Sequence, residues 1–288
     1  MASFNPSREG LMESMDLRIV GAPNRPLWAT LSLPPFFKYP LVVMAHGFLG
    51  FKDWSFFPWL AEFFNQAGFP VLRFNFSGSG MGAAKDGPFS EPESFKADSI
   101  TKQVEDLRAI AGEAVRGAIH PNLPPQPRVF LWGHSRGAAV CLLAAGKIPE
   151  TSGVACWSGI ARVNRYFFEA KQAWRKDAYS PVESNRTGQT LRYGTEFLDD
   201  VETWGREGDV PTFLHNLNAP VLLLHGSEDT SVSPEESESL AAVKPTAQLS
   251  ILAGANHKFN CAHPFLHPTG VLVEAAQKTV RFFEGTLV

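Results

Sequence analysis

One serine in this chain of 288 residues has neighbours that suit a nucleophile. Residues 131–137 read LWGHSRG, so Ser135 lies between Gly133 and Gly137 in a G-x-S-x-G pattern. An apolar run of strand length precedes the pattern, and a run of small apolar residues that suits a buried helix follows it. At a sharp corner between strand and helix, such a hydroxyl is held out over the edge of a sheet. We therefore expect Ser135 to be a nucleophile; the alternative is an ordinary turn with an inert serine.

A serine hydroxyl reacts poorly at neutral pH and needs a base, which in turn needs an acid that fixes its tautomer. Two loops that each follow an apolar run carry the candidates, GSED at 226–229 and ANHKF at 255–259. We favour Asp229, which lies further into its turn, and His257, which directly follows the last strand. The alternatives are Glu228, Asp199 and Asp200 as the acid, and His225, His263 and His267 as the base.

The oxyanion that forms when an acyl carbon is attacked needs hydrogen-bond donors. The apolar run 41–45 leads into HGFLG at 46–50, where the glycines allow a sharp turn that exposes backbone N–H groups. We expect the N–H of Phe48 and that of Arg136, the residue after the nucleophile, to form the oxyanion hole. His46 is expected to brace this loop by hydrogen bonds rather than to act in the chemistry.

Strand-like and helix-like segments alternate along most of the chain. Apolar runs of strand length lie at 41–45, 69–76, 129–132, 154–157, 221–224 and 247–252, and helical patterns lie at 55–67, 95–116, 138–145, from 234 and at 270–284. This alternation predicts a mainly parallel sheet covered on both faces by helices. A β-hairpin at 15–33 is expected at one edge of the sheet, after a loose lead-in at 1–14.

Residues 160–217 break this alternation, because they contain no clear buried strand and many aromatic residues among charges. They predict a helical cap inserted over the sheet edge, within a single domain that spans 1–288. The aromatic side chains either line a substrate pocket or only fix the cap to the core, and the pattern favours neither.

Composition and motifs exclude several classes of partner. The net charge is -3 without a dense basic block, which argues against nucleic acid. The SGSGMG stretch at 77–82 lacks the spacing of dinucleotide-binding loops and the Walker lysine, and no zinc motif occurs. We therefore expect no metal and no cofactor. Three cysteines beside apolar segments indicate buried reduced thiols. No leader or membrane-spanning run is found, so we expect a cytoplasmic protein without a membrane partner.

The chain resembles the α/β-hydrolase superfamily from about residue 15 onward. More narrowly, it resembles bacterial esterases of the feruloyl- and cinnamoyl-esterase type and their acylaminoacyl-peptidase-like relatives. The resemblance rests on HGFLG at 46–50, RFNFSGSG at 73–80, GHSRG at 133–137, GSED at 226–229 and NHKFN at 256–260. It implies the α/β-hydrolase fold, a mostly parallel central sheet flanked by helices with a helical cap insertion. The order Ser135, Asp229, His257 is that of the superfamily's triad.

The resemblance implies hydrolysis of a small-molecule carboxylic ester through an acyl-enzyme. Thioester hydrolysis, or peptide and amide hydrolysis, would use the same residues. The β-propeller that accompanies many related peptidases is absent from this sequence, which favours the ester. A binding protein with an inert site is the third hypothesis, and it is disfavoured because all three triad residues are present. Assembly into a homodimer is left open.

Overall fold

The computed structural model describes residues 13–21, 25–207 and 209–287, so most of the predicted lead-in lies outside the described residues. The strands are β1 (Glu13–Val20), β2 (Pro26–Leu33), β3 (Leu41–Ala45), β4 (Val71–Phe74), β5 (Val129–His134), β6 (Thr151–Trp157), β7 (Tyr179–Glu183), β8 (Thr190–Gly194), β9 (Val221–Gly226) and β10 (Gln248–Leu252). The helices are α1 (Phe57–Gln66), α2 (Pro92–Lys96), α3 (Ile100–Arg116), α4 (Arg136–Ala145), α5 (Phe168–Asp177), α6 (Thr195–Arg206), α7 (Asp209–His215), α8 (Pro234–Val243) and α9 (Gly270–Gly285).

Eight of these strands form one sheet in the order β1-β2-β4-β3-β5-β6-β9-β10. Strand β2 is antiparallel to both of its neighbours, and every other pair is parallel. The mainly parallel sheet and the edge hairpin predicted from the sequence are thereby confirmed. Parallel neighbours place the carboxyl ends of β3, β5, β9 and β10 at one edge of the sheet, where ligand sites gather in open α/β folds.

Strand β3 shows how the sheet divides the core. Its side chains alternate between the two faces, as the pleat of a strand requires. Leu41, Val43 and Ala45 pack into the cluster that contains α3 and α4, whereas Val42 and Met44 pack into the cluster that contains α1 and α9. All five residues are fully buried. The strand therefore reads as a continuous apolar run because helices cover both of its faces.

The single helix predicted at 95–116 is divided into α2 and α3. Ser99 has an extended backbone, and its Oγ accepts the Lys102 N–H at 3.1 Å, which caps the start of α3. Gly117 ends α3 in the left-handed region, at φ 68°. The break places Asp98 between the two helices, where its side chain is buried.

The insertion, residues 158–220, joins the adjacent strands β6 and β9. It contains three helices, α5 to α7, together with a two-stranded antiparallel sheet, β7–β8, that the sequence pattern did not show. Among the described residues these two strands pair only with each other, and they are buried on one side at most, so they lack the apolar run of a central strand. No helix in the described ranges is long and apolar enough to cross a membrane.

Candidate active site

Ser135 occupies the corner between β5 and α4, with φ 57° and ψ −122°. Its N–H donates to the Trp157 carbonyl at 2.8 Å, which ties the corner to the neighbouring strand β6. The flanking glycines are required by close backbone contacts. A Cβ on Gly133 would lie 2.4 Å from the Gly137 oxygen, and one on Gly137 would lie 2.4 Å from the Ala45 oxygen. The expected sharp strand-to-helix corner is present, and it holds a strained, non-glycine residue at its apex.

Asp229 follows β9 and is buried at the same edge of the sheet. Its Oδ2 accepts the Nδ1–H of His257 at 2.7 Å, and its Oδ1 accepts the N–H groups of Ser231 and Val232 at 2.9 Å each. Burial by itself would raise the pKa of Asp229. Hydrogen bonds from His225, His257 and the Val232 N–H outweigh that effect and hold the pKa well below its usual value. Asp229 is therefore an anion at neutral pH.

His257 is oriented by this carboxylate. Because Nδ1 donates to Asp229, the neutral ring carries its lone pair on Nε2, which is the form that a general base requires. Its backbone is anchored as well, since His134 Nε2 donates to the His257 carbonyl at 2.8 Å. His257 and Ser135 line the same cavity of about 430 Å³. The structure thus brings together the three residues that the sequence selected.

The alternative acids and bases lie elsewhere or have other partners. Glu228 and His267 are exposed. Asp199 accepts a hydrogen bond from Arg175, Asp200 from Thr101, and His263 from the Ser55 N–H. His225 is the exception, because its Nε2 lies 3.3 Å from Asp229 Oδ2. Its ring is fully buried, and its Nδ1 lies 2.7 Å from Ser237 Oγ. No sequence pattern indicated this contact, although His225 is the fourth residue before Asp229.

The loop after β3 passes beside the nucleophile. A Cβ on Gly47 would lie 3.0 Å from the Ser135 Cβ, so a larger residue there would press against the nucleophile. His46 braces the loop: Nδ1 donates to the Gly47 oxygen at 2.8 Å, and Nε2 accepts the Phe76 N–H at 3.2 Å. Burial lowers the pKa of His46 to about 4, which keeps the ring neutral. Phe48 therefore borders the cavity of Ser135 on a fixed loop.

Arg136 is the first residue of α4, and the first N–H groups of a helix have no partner within the helix. Its N–H and that of Phe48 are the two donors expected from the sequence. Arg136 directly follows Ser135 in the chain, and Phe48 follows Gly47, which lies against Ser135.

The insertion contributes polar residues, not aromatic ones, to the wall of the cavity. Glu183, Ser184, Asn185 and Arg186, at the end of β7 and in the turn after it, line the space above Ser135. Among the described residues, none of the insertion's aromatic side chains lines it. Trp174, Tyr193, Phe197 and Trp204 are buried in the core, which agrees with the second alternative, whereas Phe167 and Phe168 are exposed and do neither.

A cation holds this turn against two loops of the core domain, the one after β3 and the one between β4 and α2. The Arg186 guanidinium lies 4.7 Å from the ring centroid of Phe51 and 5.1 Å from that of Phe89, and it pairs with Asp86 at 2.9 Å. These contacts fix the β7–β8 turn beside the cavity. Within the part of the chain that is described, no three His, Cys, Asp or Glu side chains are grouped as metal ligands. The three cysteines are buried free thiols.

A family model described as the alpha/beta hydrolase family matches residues 42–275. The chain belongs to this family.

Several solved structures share the fold. Est1E from Butyrivibrio proteoclasticus with ferulic acid bound is 20% identical, with 94% of this chain and 99% of that one covered and a TM-score of 0.70. The esterase domain of a Rhodothermus marinus protein is 20% identical, with 94% and 100% covered and a TM-score of 0.63. A puromycin-hydrolyzing peptidase of Mycobacterium tuberculosis is 21% identical, with 96% of this chain but 40% of that one covered and a TM-score of 0.69. A search of curated proteins finds no match.

Proposed function

We propose that this protein is a serine hydrolase that cleaves carboxylic esters of small molecules. One observation carries the proposal: the 2.7 Å hydrogen bond from His257 Nδ1 to the buried carboxylate of Asp229, on a cavity that also exposes Ser135. A buried anion that fixes the tautomer of a histidine beside a strained serine is the arrangement that activates a hydroxyl.

The reaction proceeds in two halves. His257 Nε2 takes the proton of Ser135 as Oγ attacks the acyl carbon, and Asp229 stabilises the imidazolium that forms. The N–H groups of Phe48 and Arg136 bind the oxyanion. His257 then protonates the departing alcohol oxygen, which leaves an acyl-enzyme on Ser135. A water molecule attacks in the same way and releases the carboxylic acid.

A second cavity gives room for a substrate with sizeable groups on both sides of the ester bond. It has a volume of about 680 Å³ and shares Trp54, Asn185, Arg186 and Lys258 with the cavity of Ser135. Lys258, the residue after His257, lines both cavities, so one portion of a larger substrate can extend from the cavity of Ser135 into the second cavity.

Amide hydrolysis is the second candidate, because it uses the same groups. The likeness to the puromycin-hydrolyzing peptidase favours it, whereas the likeness to the Rhodothermus marinus esterase domain favours the ester. A protein that only binds ligands is disfavoured, since such a protein has no need of a strained serine beside a fixed histidine.

The test is a set of initial rates on p-nitrophenyl esters from acetate to long acyl chains, and on methyl ferulate. We expect Ser135→Ala to lower kcat by a factor of about 10⁶. Ser239→Ala, an exposed serine on α8, is the matched control and should retain the wild-type rate. If the wild-type protein turns over none of these esters faster than Ser135→Ala does, the esterase proposal is wrong, and matched amides and thioesters decide between the remaining hydrolases.

A further inference from the structure

The side chain of Arg136 lies against an aromatic surface. Its guanidinium carbon is 4.2 Å from the ring centroid of Phe48, 5.0 Å from that of Phe197 and 5.7 Å from that of Tyr193. Contacts of this kind are attractive because the face of an aromatic ring is negative, and they strengthen when water is excluded. Phe48 and Arg136 are also the residues whose N–H groups are the proposed oxyanion donors. One cation–π contact therefore joins the side chains of both donors.

The far end of Arg136 is anchored by a buried chain of hydrogen bonds. Its Nη1 donates to Tyr193 Oη at 2.7 Å, and Tyr193 Oη donates to Asp98 Oδ2 at 2.9 Å. Gln103 Nε2 donates to the same carboxyl oxygen at 2.6 Å. Tyr193 and Asp98 are 2% and 3% exposed, so water does not compete with these bonds. Tyr193 belongs to β8 of the insertion, whereas Asp98 belongs to the break between α2 and α3.

The rings around Arg136 form one cluster with these groups. Tyr193 lies 4.1 Å from Phe197, 4.7 Å from Phe95 and 5.7 Å from Phe48, measured between ring centroids. The cluster joins the loop after β3, helix α2 and the β8–α6 part of the insertion. Two aromatic residues of the insertion that do not line the cavity, Tyr193 and Phe197, belong to this cluster.

We propose that Arg136 is a positioning residue of the oxyanion hole, and that the insertion acts on the reaction through it. The guanidinium, held by Tyr193, fixes the Phe48 loop relative to the start of α4 and so sets the spacing of the two N–H donors. Donors of this kind are effective only when they lie 2.7–3.1 Å from the position that the oxyanion takes. This inference rests on the proposed ester hydrolysis and deepens it.

The test compares variants that keep different parts of the contact. Arg136→Met keeps an unbranched apolar side chain but removes the charge and the donors, Arg136→Lys keeps the charge, and Tyr193→Phe keeps the ring but removes both hydrogen bonds. Arg192→Met is the matched control, since Arg192 lies 4.7 Å from the ring of Tyr179 on the same hairpin. Each is assayed for kcat and KM on a p-nitrophenyl ester and for its thermal unfolding midpoint.

We expect Arg136→Met to lower kcat by about 10- to 100-fold with little change in KM, because the oxyanion forms only in the transition state. Arg136→Lys should recover part of the loss, and Tyr193→Phe should lower kcat in the same direction. In the double variant, the two losses should not multiply, because both act through one contact. Arg192→Met should leave kcat unchanged.

Two results would overturn the inference. One is an Arg136→Met or Tyr193→Phe protein that is folded and has the kcat of the wild type. The other is a lowered kcat that is matched by Arg192→Met, which would indicate a general effect on stability. Should Arg136→Met fail to fold, Arg136→Lys and Tyr193→Phe decide. A wild-type protein without activity on any ester would instead refute the proposed function, and the inference with it.

Discussion

His225 Nε2 lies 3.3 Å from the Oδ2 of Asp229, the same oxygen that accepts the hydrogen bond from His257. His225 is fully buried, and its Nε2 also donates to the Val232 carbonyl at 2.9 Å. Asp229 thus has hydrogen-bond donors around both oxygens, since Oδ1 accepts two backbone N–H groups. A carboxylate held in this way cannot rotate, and it presents one fixed acceptor to His257.

Asp229→Asn should therefore lower kcat by a factor of about 10⁴ without unfolding the protein. In the variant, the N–H groups of Ser231 and Val232 keep the amide oxygen of the new side chain in the place of Oδ1, so its NH₂ group faces His257. Because that NH₂ group is a donor, the His257 ring must take the tautomer with its lone pair on Nδ1. Initial rates on a p-nitrophenyl ester measure the loss. Glu228→Gln is the control, because Glu228 is the exposed neighbour and the other candidate for the acid. A larger loss in Glu228→Gln than in Asp229→Asn would reverse this assignment.

The buried carboxyl of Asp98 should make stability depend on pH. Burial raises the pKa of Asp98 to about 7, although Arg136, Tyr193 and Gln103 act in the opposite direction. In the unfolded chain this carboxyl titrates near pH 4. Between these values the native state binds a proton that the unfolded state does not, so the free energy of unfolding falls as the pH rises from about 4 to about 7.

Asp98→Asn removes this titration, and its free energy of unfolding should fall less than that of the wild type between pH 5 and pH 8. Urea unfolding of both proteins at four pH values measures the difference. The wild type alone is not sufficient, because burial also raises the pKa of Asp106 to about 6, which acts in the same direction. Parallel pH profiles for the two proteins would show that Asp98 does not carry the effect.

Two glycines at the ends of α4 should respond in opposite ways to alanine. A Cβ on Gly137 would lie 2.4 Å from the Ala45 oxygen and 2.5 Å from the His46 oxygen, and both are backbone atoms of a buried strand end. Gly137→Ala should therefore destabilise the protein by about 1–3 kcal/mol or more. Gly146 has φ −66°, and nothing lies within 4 Å of its added Cβ. Gly146→Ala should stabilise the protein by about 0.4–1 kcal/mol.

Urea unfolding at neutral pH measures both changes, and each variant is the control for the other. Equal stabilities would mean that the corner relaxes to admit a Cβ, contrary to the contacts around Gly137. A destabilised Gly146→Ala would mean that the end of α4 needs the freedom of glycine.

Local patterns in the sequence were sufficient to predict the central elements. Strands β3, β5 and β9 are buried throughout, and each begins with at least four consecutive apolar residues because helices cover both of its faces. Such a run can be recognised from the sequence alone. The corner at Ser135 is equally local, because glycine is required within two residues on each side of it. Asp229 and His257 could be selected because each lies in a loop shortly after a strand, Asp229 after β9 and His257 after β10.

Other features have no local cause and could not be predicted. Strands β7 and β8 form because each satisfies the backbone of the other, and both are short and lack the continuous apolar run of the central strands. The division between α2 and α3 coincides with the place where Asp98 meets Tyr193, about a hundred residues away in the chain. Nothing near Asp98 in the sequence indicates that partner.

The sequence by itself thus determined the order along the chain of the strands in the central sheet, the corner at Ser135 and the identity of the residues in the loops after the strands. Only the tertiary structure decided that His257 and His225 share one oxygen of Asp229, that a polar turn of the insertion walls the cavity, and that Arg136 links Phe48 to Tyr193. The physical reason is the range of the forces involved. Burial and backbone geometry restrict which residue types occur at adjacent positions in the sequence, so they can be recognised from it. A contact between distant segments forms only once the chain has folded and brought them together.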